Sequence, residues 1–425
     1  MTTSKINKLT ISEQEKESQI FDKYLPPEVW TLVLVRLPVR ILLRLRCVCK
    51  SWCSIIDDPN FASLHLTLFN SNGNKKNNES CRLLMIARER DGENGENAKL
   101  IVDIGEIVAG SWHAESARWV LDSSIGKVFE SCFRVLGFSN GVLLMERWTM
   151  QISGGDQLVL LLMLWNPITG KSVKIPGAPI MSDISVFNVG VGFDPSSNDV
   201  KVVAILDPPG LLRPSFGSHN VAIYSLSSGT WRTKKADVKY TWYYMAKPLV
   251  SGGALHWLAR VRGQNHHSRI TPTHIASFHL ETETFTFTAL PTQGETIFPL
   301  LVDESLAIID VPNNLSISPC HIWVMKHEQE KLYSWTRWYS TYPPLTTAYQ
   351  KLERLRFLSM YVEIFVSTAT KLLIVIQGNE VDSYKLEDDG VKYLGTCFVP
   401  YSAEGLLLTP HVESLLLNQG SRFTP

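Results

Sequence analysis

Two groups of side chains have the types and spacing of metal ligands. His266 and His267, with His274 nearby, could bind a metal ion, but the stretch RVRGQNHHSRITPTH is basic and loop-like, which favours free surface histidines. Cys49 and Cys53 lie one helical turn apart, with Cys47 just before them. Thiols on an amphipathic helix more often serve as small apolar residues than as zinc ligands. We therefore predict no metal site.

Other catalytic patterns are equally weak. The sequence contains no GxSxG elbow, Walker loop, HExxH motif or complete dinucleotide fingerprint. The fragment Gly190-Val-Gly192 stands in a strand-like phrase and not before a helix, and Asp388-Asp389 resembles a turn. The sequence predicts a protein without intrinsic catalysis, and it indicates no cofactor.

The amino-acid composition further limits the classes of protein to which the chain could belong. The 425 residues include 41 basic and 41 acidic side chains, so the formal net charge is zero, which argues against a chain built as a whole to bind nucleic acid or an anionic membrane. Seven cysteines without a CxxC pair do not form a disulfide scaffold. The polar start lacks the apolar stretch of a signal peptide. We expect a protein of the cytoplasm, the nucleus or both.

The first structural elements that the sequence predicts along the chain are helices. Pro27 suits the first turn of a helix that we expect to reach about Leu37. A second helix is predicted from Pro38 to Ile56, because its apolar residues recur every three or four positions; Asp57-Asp58-Pro59 ends it. The polar stretch from Asn70 to Ser80 is predicted to be a loop, as is Asp91–Asn97.

Short apolar runs separated by turn residues then predict strands. They are Leu158–Trp165, Val200–Leu206, Val221–Leu226, Ile275–Leu280, Leu306–Val311, His321–Met325 and Lys371–Ile376, with one short helix possible at Tyr349–Phe357. A strand-turn-strand phrase repeats at 164–176, 223–233, 277–291, 323–338 and 383–396. A repeat of about this size suits a propeller blade, and six to eight blades would fill the chain; a large double sandwich is the alternative.

The segment 24–66 carries the most specific pattern. It reads YLPPEVWTLVLVRLPVRILLRLRCVCKSWCSIIDDPNFASLHL. The phrases LPPEV, RLPVR, LLR and RCVCKSW, followed by II and DPNF, resemble the F-box motif in the form common in plant proteins, with Leu45 where that group usually has phenylalanine. In that family the motif binds a Skp-type adaptor, which links it to a cullin–RING scaffold.

The resemblance implies an adaptor interface. Its predicted residues, in the interface or directly supporting it, are Leu25, Pro26, Val29, Leu37, Pro38, Leu42, Leu43, Val48 and Trp52. Independently of the resemblance, the segment has more apolar residues than a hairpin of about 40 residues can bury, and such surface usually marks a partner site. A hairpin that packs only against the following strands is the alternative.

Positive charge is concentrated in the same segment. Arg36, Arg40, Arg44, Arg46 and Lys50 have no acidic residue among them. This charge could steer an acidic adaptor, or it could bind DNA in a helix-turn-helix. We disfavour DNA binding because no compact third helix is predicted and the faces that would read bases are rich in leucine. A merely solvated helix face is the remaining interpretation for Arg40 and Arg44.

The strand region resembles a second family, the F-box-associated domain of plant F-box proteins. The matching phrases are WNPITG at 165–170, VGFDP at 191–195, KVV at 201–203, IYSL at 223–226, TWR at 230–232, GALHWLA at 253–259, IASF at 275–278, IWVM at 322–325 and SWT at 334–336. The resemblance implies a propeller-like, kelch-like recognition module. We expect Trp165, Trp231, Trp257 and Trp335 to pack between sheets, and either Trp335 or Trp338 to be exposed.

The sequence thus predicts an α+β multidomain protein, with a short helical F-box followed by a large all-β, propeller-like domain. The expected units are a flexible N-terminus (1–20), the F-box (21–68), a linker with the first strands (69–98) and the propeller-like domain (99–415). The resemblance implies a substrate receptor of an SCF-type ubiquitin ligase, with target-binding loops at Asp207–Asn220, Arg260–His274 and Val311–Cys320. A non-degradative scaffold, a receptor in pollen self-incompatibility and, more remotely, a propeller enzyme are the alternatives.

Overall fold

The computed structural model presents helices followed by a ring of antiparallel sheets. It describes residues 25–76, 82–91, 97–108, 111–114, 119–120, 133–151, 157–177, 189–206, 219–236, 240–242, 247–261, 272–292, 296–312, 318–327, 333–341, 362–368, 370–377, 380–388, 390–398, 407–410 and 414–417. The predicted N-terminal tail, the helix predicted at Tyr349–Phe357 and the pair His266-His267 lie outside these residues.

The helical region contains four helices, where two were predicted. They are α1 (Pro27–Leu34), α2 (Val39–Leu45), α3 (Lys50–Ile56) and α4 (Pro59–Lys76). The second predicted helix is divided because Cys49 adopts an extended conformation and its Sγ accepts a hydrogen bond from the backbone N–H of Trp52, which caps α3. Among the described helices, none is long and apolar enough to cross a membrane.

Asp58 and Pro59 lie at the start of α4 as well as after the end of α3, and the start of α4 was not predicted. α3 ends at Ile56 as predicted, but Pro59 occupies the first position of α4, where a proline loses no hydrogen bond. The Oδ1 atom of Asp58 accepts from the N–H of Asn60 at 2.7 Å. α4 continues to Lys76, so most of the loop predicted from Asn70 to Ser80 is helical instead.

The described strands form six blades of a propeller, the low end of the predicted range. In chain order they are β1 (Arg82–Asp91), β2 (Asn97–Val108), β3 (Ser111–Ala114), β4 (Trp119–Val120), β5 (Phe133–Ser139), β6 (Val142–Gln151), β7 (Gln157–Asn166), β8 (Lys171–Ile175), β9 (Val189–Asp194), β10 (Asp199–Leu206), β11 (His219–Ser225), β12 (Thr230–Ala236), β13 (Tyr240–Trp242), β14 (Leu249–Ser251), β15 (Ala254–Val261), β16 (His274–His279), β17 (Thr284–Ala289), β18 (Thr296–Val302), β19 (Ser305–Val311), β20 (Cys320–His327), β21 (Tyr333–Thr341), β22 (Val362–Ser367), β23 (Leu372–Gln377), β24 (Glu380–Glu387), β25 (Gly390–Phe398) and β26 (Leu407–Pro410). All seven predicted strands are confirmed.

Each blade is a sheet of four main strands. Blades 2 and 3 are β5–β8 and β9–β12, and blade 4 is β14–β17 with β13 beside β15. Blades 5 and 6, β18–β21 and β22–β25, join through a short parallel pairing of β18 with β22. Blade 1 consists of β1–β3 with β4 beside β2, and it is completed by β26, which pairs with β1 from Leu83↔Pro410 to Ile86↔Leu407. The chain therefore closes its own ring and protects the edge of β1.

The predicted repeat corresponds to one part of the blade. Its five copies are the third and fourth strands, with the turn between them, of blades 2 to 6. The aromatic anchors Trp165, Tyr224, Phe278 and Tyr384 are buried, and Trp323 is half-buried. The aromatic residue of each third strand fills the space beside its sheet, which is why this part of the blade is the most visible in sequence.

Tryptophans of two fourth strands connect neighbouring blades. The indole N–H of Trp231 donates to the Pro176 carbonyl of blade 2 at 2.8 Å, and that of Trp335 donates to the Ala289 carbonyl of blade 4 at 2.8 Å. Trp257 is buried within blade 4, and Trp338 is 37% exposed. The prediction that these tryptophans serve the architecture is confirmed, with Trp338 as the exposed one.

Candidate functional site

Exposed apolar side chains are concentrated on the helices. Nine large apolar side chains of the described residues are exposed, and six of them lie between residues 25 and 64. Those six are Leu25, Leu32, Val33, Ile41, Val48 and Leu64. Scattered exposed apolar residues are normal on a protein surface, but such an accumulation in 40 residues is typical of a binding surface. We call these six residues the apolar helix surface.

The predicted adaptor residues separate into two groups by burial. Leu25, Pro26, Pro38 and Val48 are exposed, and the exposed fraction of Val48 reaches 61%. Val29 is half-buried. These residues are accessible to a partner. The apolar helix surface adds Leu32, Val33, Ile41 and Leu64, which were not among the predicted adaptor residues.

The other predicted residues support the surface from behind. Leu42 is completely buried, while Leu37, Leu43 and Trp52 are half-buried and pack against the same core. The ring of Trp52 lies 5.0 Å from that of Trp30, in a tilted arrangement. These residues position the helices and do not themselves project from them.

The helices and the propeller share one hydrophobic core. Leu34, Val39 and Leu42 of the helices belong to the same buried cluster as Leu143 and Trp165 of blade 2. The Nε2 atom of the buried His65 is 2.9 Å from the Leu37 carbonyl, and the Nδ2 atom of Asn198, in the first turn of blade 3, donates to the Pro59 carbonyl at 3.1 Å. The helical segment is therefore held at a defined place on the propeller.

The C-terminal residues strengthen this junction. Leu415 is buried with the helices, and Leu416 and Leu417 are buried with Leu66 of α4. The Nδ2 atom of Asn166, which follows Trp165 in the WNPITG phrase, donates to the carbonyls of Ser414 at 2.9 Å and Leu416 at 2.8 Å. The asparagine of this phrase thus ties the end of the chain to blade 2.

The basic segment is partly neutralised by its own chain. The guanidinium of Arg46 binds Asp57 through two hydrogen bonds, Nε to Oδ1 at 2.6 Å and Nη2 to Oδ2 at 2.7 Å. This hydrogen bonding raises the pKa of Arg46. Arg36, Arg44 and Lys50 are exposed and keep the surface around the helices positive.

The cysteines near this site have structural roles. Cys49 caps α3, Cys47 is exposed, and Cys53 donates through Sγ to Asp57 at 3.4 Å. Burial, and then the hydrogen bond to Asp57, raise the pKa of Cys53. Within the described ranges no group of three His, Cys, Asp or Glu side chains could hold a metal ion.

The predicted target-binding loops start from one end of the propeller. In each antiparallel blade, the first and third turns lie at one end and the connection from the second to the third strand lies at the other. Asp207–Asn220, Arg260–His274 and Val311–Cys320 are all second-to-third connections, of blades 3, 4 and 5. Most of their residues lie outside the described part of the chain, but the flanking strands place their starting points at this end, which we call the loop end.

The helices are attached to the opposite end. The first turn of blade 3 contacts α4 through Asn198. The first turns of the following blades are linked to one another, since Ser251 donates to the Glu304 carbonyl at 2.7 Å and the N–H of Asp303 donates to the Val366 carbonyl at 3.0 Å. The first turns of blades 4 to 6 therefore lie together, away from the loop end.

A buried ionic cluster between blades 3 and 4 was missed by the sequence analysis. The Nζ atom of Lys201 is 2.8 Å from Asp194 Oδ2, 2.7 Å from the Leu280 carbonyl and 3.0 Å from Glu283 Oε1. Arg232 binds the same Glu283 through two hydrogen bonds. The lysine in the apolar strand sequence DVKVVAIL could have predicted this cluster, because a buried ammonium group requires an acidic partner.

Gly190 and Gly192 allow blade 3 to approach blade 4. Both lie in β9, as the strand-like phrase predicted, and not in a phosphate-binding loop. A Cβ atom on Gly192 would come within 2.5 Å of Leu280 Cδ1, and one on Gly190 within 2.8 Å of Pro248 Cγ. The glycines are required by packing.

Together these features define a protein with a helical docking segment fixed to one end of a six-bladed propeller. The family model of the F-box associated beta propeller domain matches residues 149–400, and that of the F-box domain matches residues 24–64. The chain belongs to the family of the F-box associated β-propeller domain, and it carries an F-box domain ahead of the propeller.

Two similar proteins are from Arabidopsis thaliana. An F-box/kelch-repeat protein of Arabidopsis thaliana is 23% identical over 331 residues, which cover 74% of this chain and 78% of the relative. An F-box protein of the same organism is 21% identical over 346 residues, 76% of this chain and 66% of the relative. Among solved structures, the β-propeller domain of the trilobed protease from Pyrococcus furiosus aligns with a TM-score of 0.34 and 8% identity, covering 74% of this chain and 80% of that one.

Proposed function

We propose that this protein is the substrate-recognition subunit of an SCF-type ubiquitin ligase. The F-box would bind a Skp-type adaptor and, through it, a cullin–RING scaffold, while the propeller would bind a target protein. The observation that carries the proposal is the apolar helix surface, which lies within the F-box and remains exposed although the helices share a core with the propeller. Exposed arginines and a lysine beside it suit an acidic adaptor.

The arrangement supports a role based on proximity. The helices are attached at one end of the propeller, and the three predicted recognition loops start at the other. A target bound at the loop end would be held at a fixed distance from the adaptor, because the shared core and the Asn166 contacts prevent the two parts from moving freely. Such a receptor raises the local concentration of target lysines near the conjugating enzyme.

The protein itself would not be catalytic in this proposal, and it would act in the cytoplasm, the nucleus or both. No nucleic acid, membrane or cofactor is part of the mechanism. Activity of a propeller enzyme would require clustered acidic residues or metal ligands, and the buried charges between blades 3 and 4 are already engaged with one another.

Co-purification tests adaptor binding. Ile41→Asp combined with Val48→Asp places two charges on the apolar helix surface without removing buried side chains. The matched control is Leu161→Asp, an equally exposed leucine of β7 on the propeller. We expect the control to retain a co-expressed Skp-type adaptor and the double variant to lose it at least tenfold. Equal recovery by both, with both folded, would contradict the proposal.

The target and its fate are tested in cells with the same point variants. Deleting residues 1–66 is less suitable, because it would remove Leu34, Val39 and Leu42 from the core shared with the propeller. Proximity labelling should identify the same target-side neighbours for wild type and for Ile41→Asp/Val48→Asp, whereas the adaptor and the scaffold subunits should be labelled by wild type alone. A ligase substrate should accumulate with the variant, whereas unchanged abundance of every neighbour would favour the non-degradative scaffold.

A further inference from the structure

A groove opens on the outer rim of the propeller between blades 3 and 4. Its volume is about 200 Å³, and it lies between β12 and β17, each of which is the edge strand of its sheet. The lining residues are Val221, Lys234, Lys235, Ala236, Phe278, Glu283, Thr284, Phe285 and Phe287. We call it the rim groove. It is separate from the apolar helix surface.

One wall of the rim groove is aromatic. Phe285 and Phe287 are half-buried and stacked, with ring centroids 6.0 Å apart. Phe278, which is buried, meets Phe285 edge to face at 5.0 Å. Phe285 and Phe287 pack against the core of blades 3 and 4 and keep part of their surface exposed. That exposed part offers a second aromatic ring the offset or edge-to-face contacts that it prefers.

The opposite wall is positively charged. Lys234 and Lys235 are exposed, and among the described residues neither is paired with a carboxylate. Lys234 donates through Nζ to the backbone carbonyl of Glu283 at 2.9 Å. The Glu283 carboxylate is occupied by Lys201 and Arg232, so it does not neutralise the lysines. Successive side chains of a strand point to opposite faces, so Lys234, opposite Val221, shares the groove face with Ala236, while Lys235 points to the other face of the sheet. The groove therefore carries one positive charge, that of Lys234, which the Glu283 carboxylate does not neutralise.

We propose that the rim groove binds an acidic segment of the target protein, with one aromatic side chain in the groove and a carboxylate beside Lys234. This inference rests on the proposed function, because it specifies part of what the propeller recognises. The volume is below the range of about 300–1,000 Å³ typical of cofactor and metabolite sites, but it suits a single anchoring side chain. Lysines that only protected an edge strand from aggregation would need no aromatic wall.

A peptide of defined composition tests this directly. The probe is a fluorescein-labelled peptide with one phenylalanine between two pairs of acidic residues, titrated with the full-length chain, alone or with its adaptor, and followed by fluorescence anisotropy. Replacing the phenylalanine by serine, or the four acidic residues by lysine, should weaken binding at least tenfold each. Raising the salt concentration from 50 to 300 mM should weaken it severalfold, because the contacts are exposed ion pairs.

Two variants of the chain alter the groove in different ways. Lys234→Glu reverses the charge of one wall, and Ala236→Phe fills the groove without changing its charge. The matched control is Lys385→Glu, an exposed lysine of β24 in blade 6. We expect each groove variant to lose at least tenfold in peptide affinity and the blade 6 control to change less than twofold.

The outcomes separate this inference from the proposed function. Adaptor co-purification should be the same for wild type and for both groove variants, so loss of the adaptor from Ile41→Asp/Val48→Asp can be observed whatever the peptide does. Undetectable peptide binding to the folded wild type, or binding that both groove variants retain, would overturn the inference and leave the adaptor result intact. Equal competition by free phenylacetate would also overturn it, because it would identify a small-molecule site.

Discussion

Lys201 of blade 3 and Glu283 of blade 4 form a buried ion pair, with Nζ 3.0 Å from Oε1. Glu283 adopts a left-handed backbone conformation with φ of +54°, at the turn position that Gly170 and Gly229 occupy in blades 2 and 3. A residue with a Cβ atom is disfavoured there by about 1–2 kcal/mol. The chain tolerates this strain because the carboxylate joins two blades through Lys201 and Arg232.

Replacing Glu283 by glycine should destabilise the protein although it relieves the strained backbone. Breaking a buried ion pair costs about 3–5 kcal/mol, and the backbone relief returns about 1 kcal/mol, so we expect a net loss of about 2–4 kcal/mol in chemical denaturation. The matched control is Lys371→Gly, which also has positive φ but an exposed side chain paired only with the exposed Asp388. The control should be neutral or slightly stabilising. A Glu283→Gly protein as stable as wild type would show that the cluster contributes only about as much as the backbone strain it offsets, about 1 kcal/mol.

The same glutamate should make stability depend on acidic pH. Hydrogen bonds from Arg232, and then from Lys201, lower the pKa of Glu283 from 4.5 to about 2. A group whose pKa is lower in the folded state stabilises the fold above its unfolded pKa, and this contribution is lost as pH falls from 4.5 towards 2. The stability difference between wild type and Glu283→Gln should therefore shrink by about 2 kcal/mol between pH 6 and pH 3. A stability difference that is the same at pH 6 and pH 3 would contradict the role of the Glu283 carboxylate.

His256 should make the unfolding free energy depend on pH at higher pH values than Glu283 does. Its Nε2 is 3.0 Å from the Ser251 carbonyl and its Nδ1 is 2.8 Å from Ser277 Oγ. A carbonyl only accepts, so the proton lies on Nε2 and Nδ1 accepts from the hydroxyl. Burial lowers the pKa of His256 from 6.5 to about 4, so the neutral ring is the folded form.

The sign of this second effect follows from proton uptake by the unfolded chain. Between pH 6.5 and pH 4, His256 binds a proton in the unfolded state but not in the folded state. The unfolding free energy therefore falls as pH falls, by up to about 3 kcal/mol. For His256→Asn, the unfolding free energy measured by urea denaturation at pH 7, 6, 5 and 4 should not show this part of the pH dependence. The exposed His113→Asn serves as control and should retain it. Parallel curves for wild type and His256→Asn would contradict the assignment.

Gly192 should not tolerate alanine. The added Cβ atom would lie 2.5 Å from Cδ1 of the buried Leu280, and overpacking of this kind costs about 1–3 kcal/mol. Gly177→Ala, with nothing within 4 Å of its Cβ position, should change the unfolding free energy by less than about 0.5 kcal/mol. In a double-mutant cycle, Leu280→Ala should offset part of the Gly192→Ala cost. Strict additivity of the two changes would argue against the contact.

Asn166 should control how firmly the C-terminal residues are held. Asn166→Ala leaves the buried carbonyls of Ser414 and Leu416 without their donor, and each such loss costs about 1–3 kcal/mol. We expect a lower unfolding free energy and faster proteolysis near the C-terminus, measured by mass spectrometry. The exposed Asn220→Ala should behave like wild type. Unchanged protease resistance of Asn166→Ala would show that hydrophobic burial of Leu415–Leu417 suffices.

Local patterns were enough to predict much of this protein. The order of the F-box phrases identified the helical segment, and alternating strands with tight turns identified the third and fourth strands of five blades. The apolar excess of residues 25–64 predicted a binding surface, and six exposed apolar residues are found there. These features depend on residues close in sequence, where periodicity and turn chemistry act directly. The local signal failed at Cys49 and Pro59, where caps divide and start helices.

The tertiary structure decided what depends on residues far apart in the chain. Leu42 carries the same apolar signal as Val48, yet one is buried against the propeller and the other projects from it. Lys201 contacts Glu283 only because β9 and its glycines bring blade 3 against blade 4. Likewise, β26 pairs with β1 only when the ring closes. Sequence periodicity determines which side of an element is apolar. Whether that side is covered, and which charge meets which, depends on long-range packing that no local pattern contains.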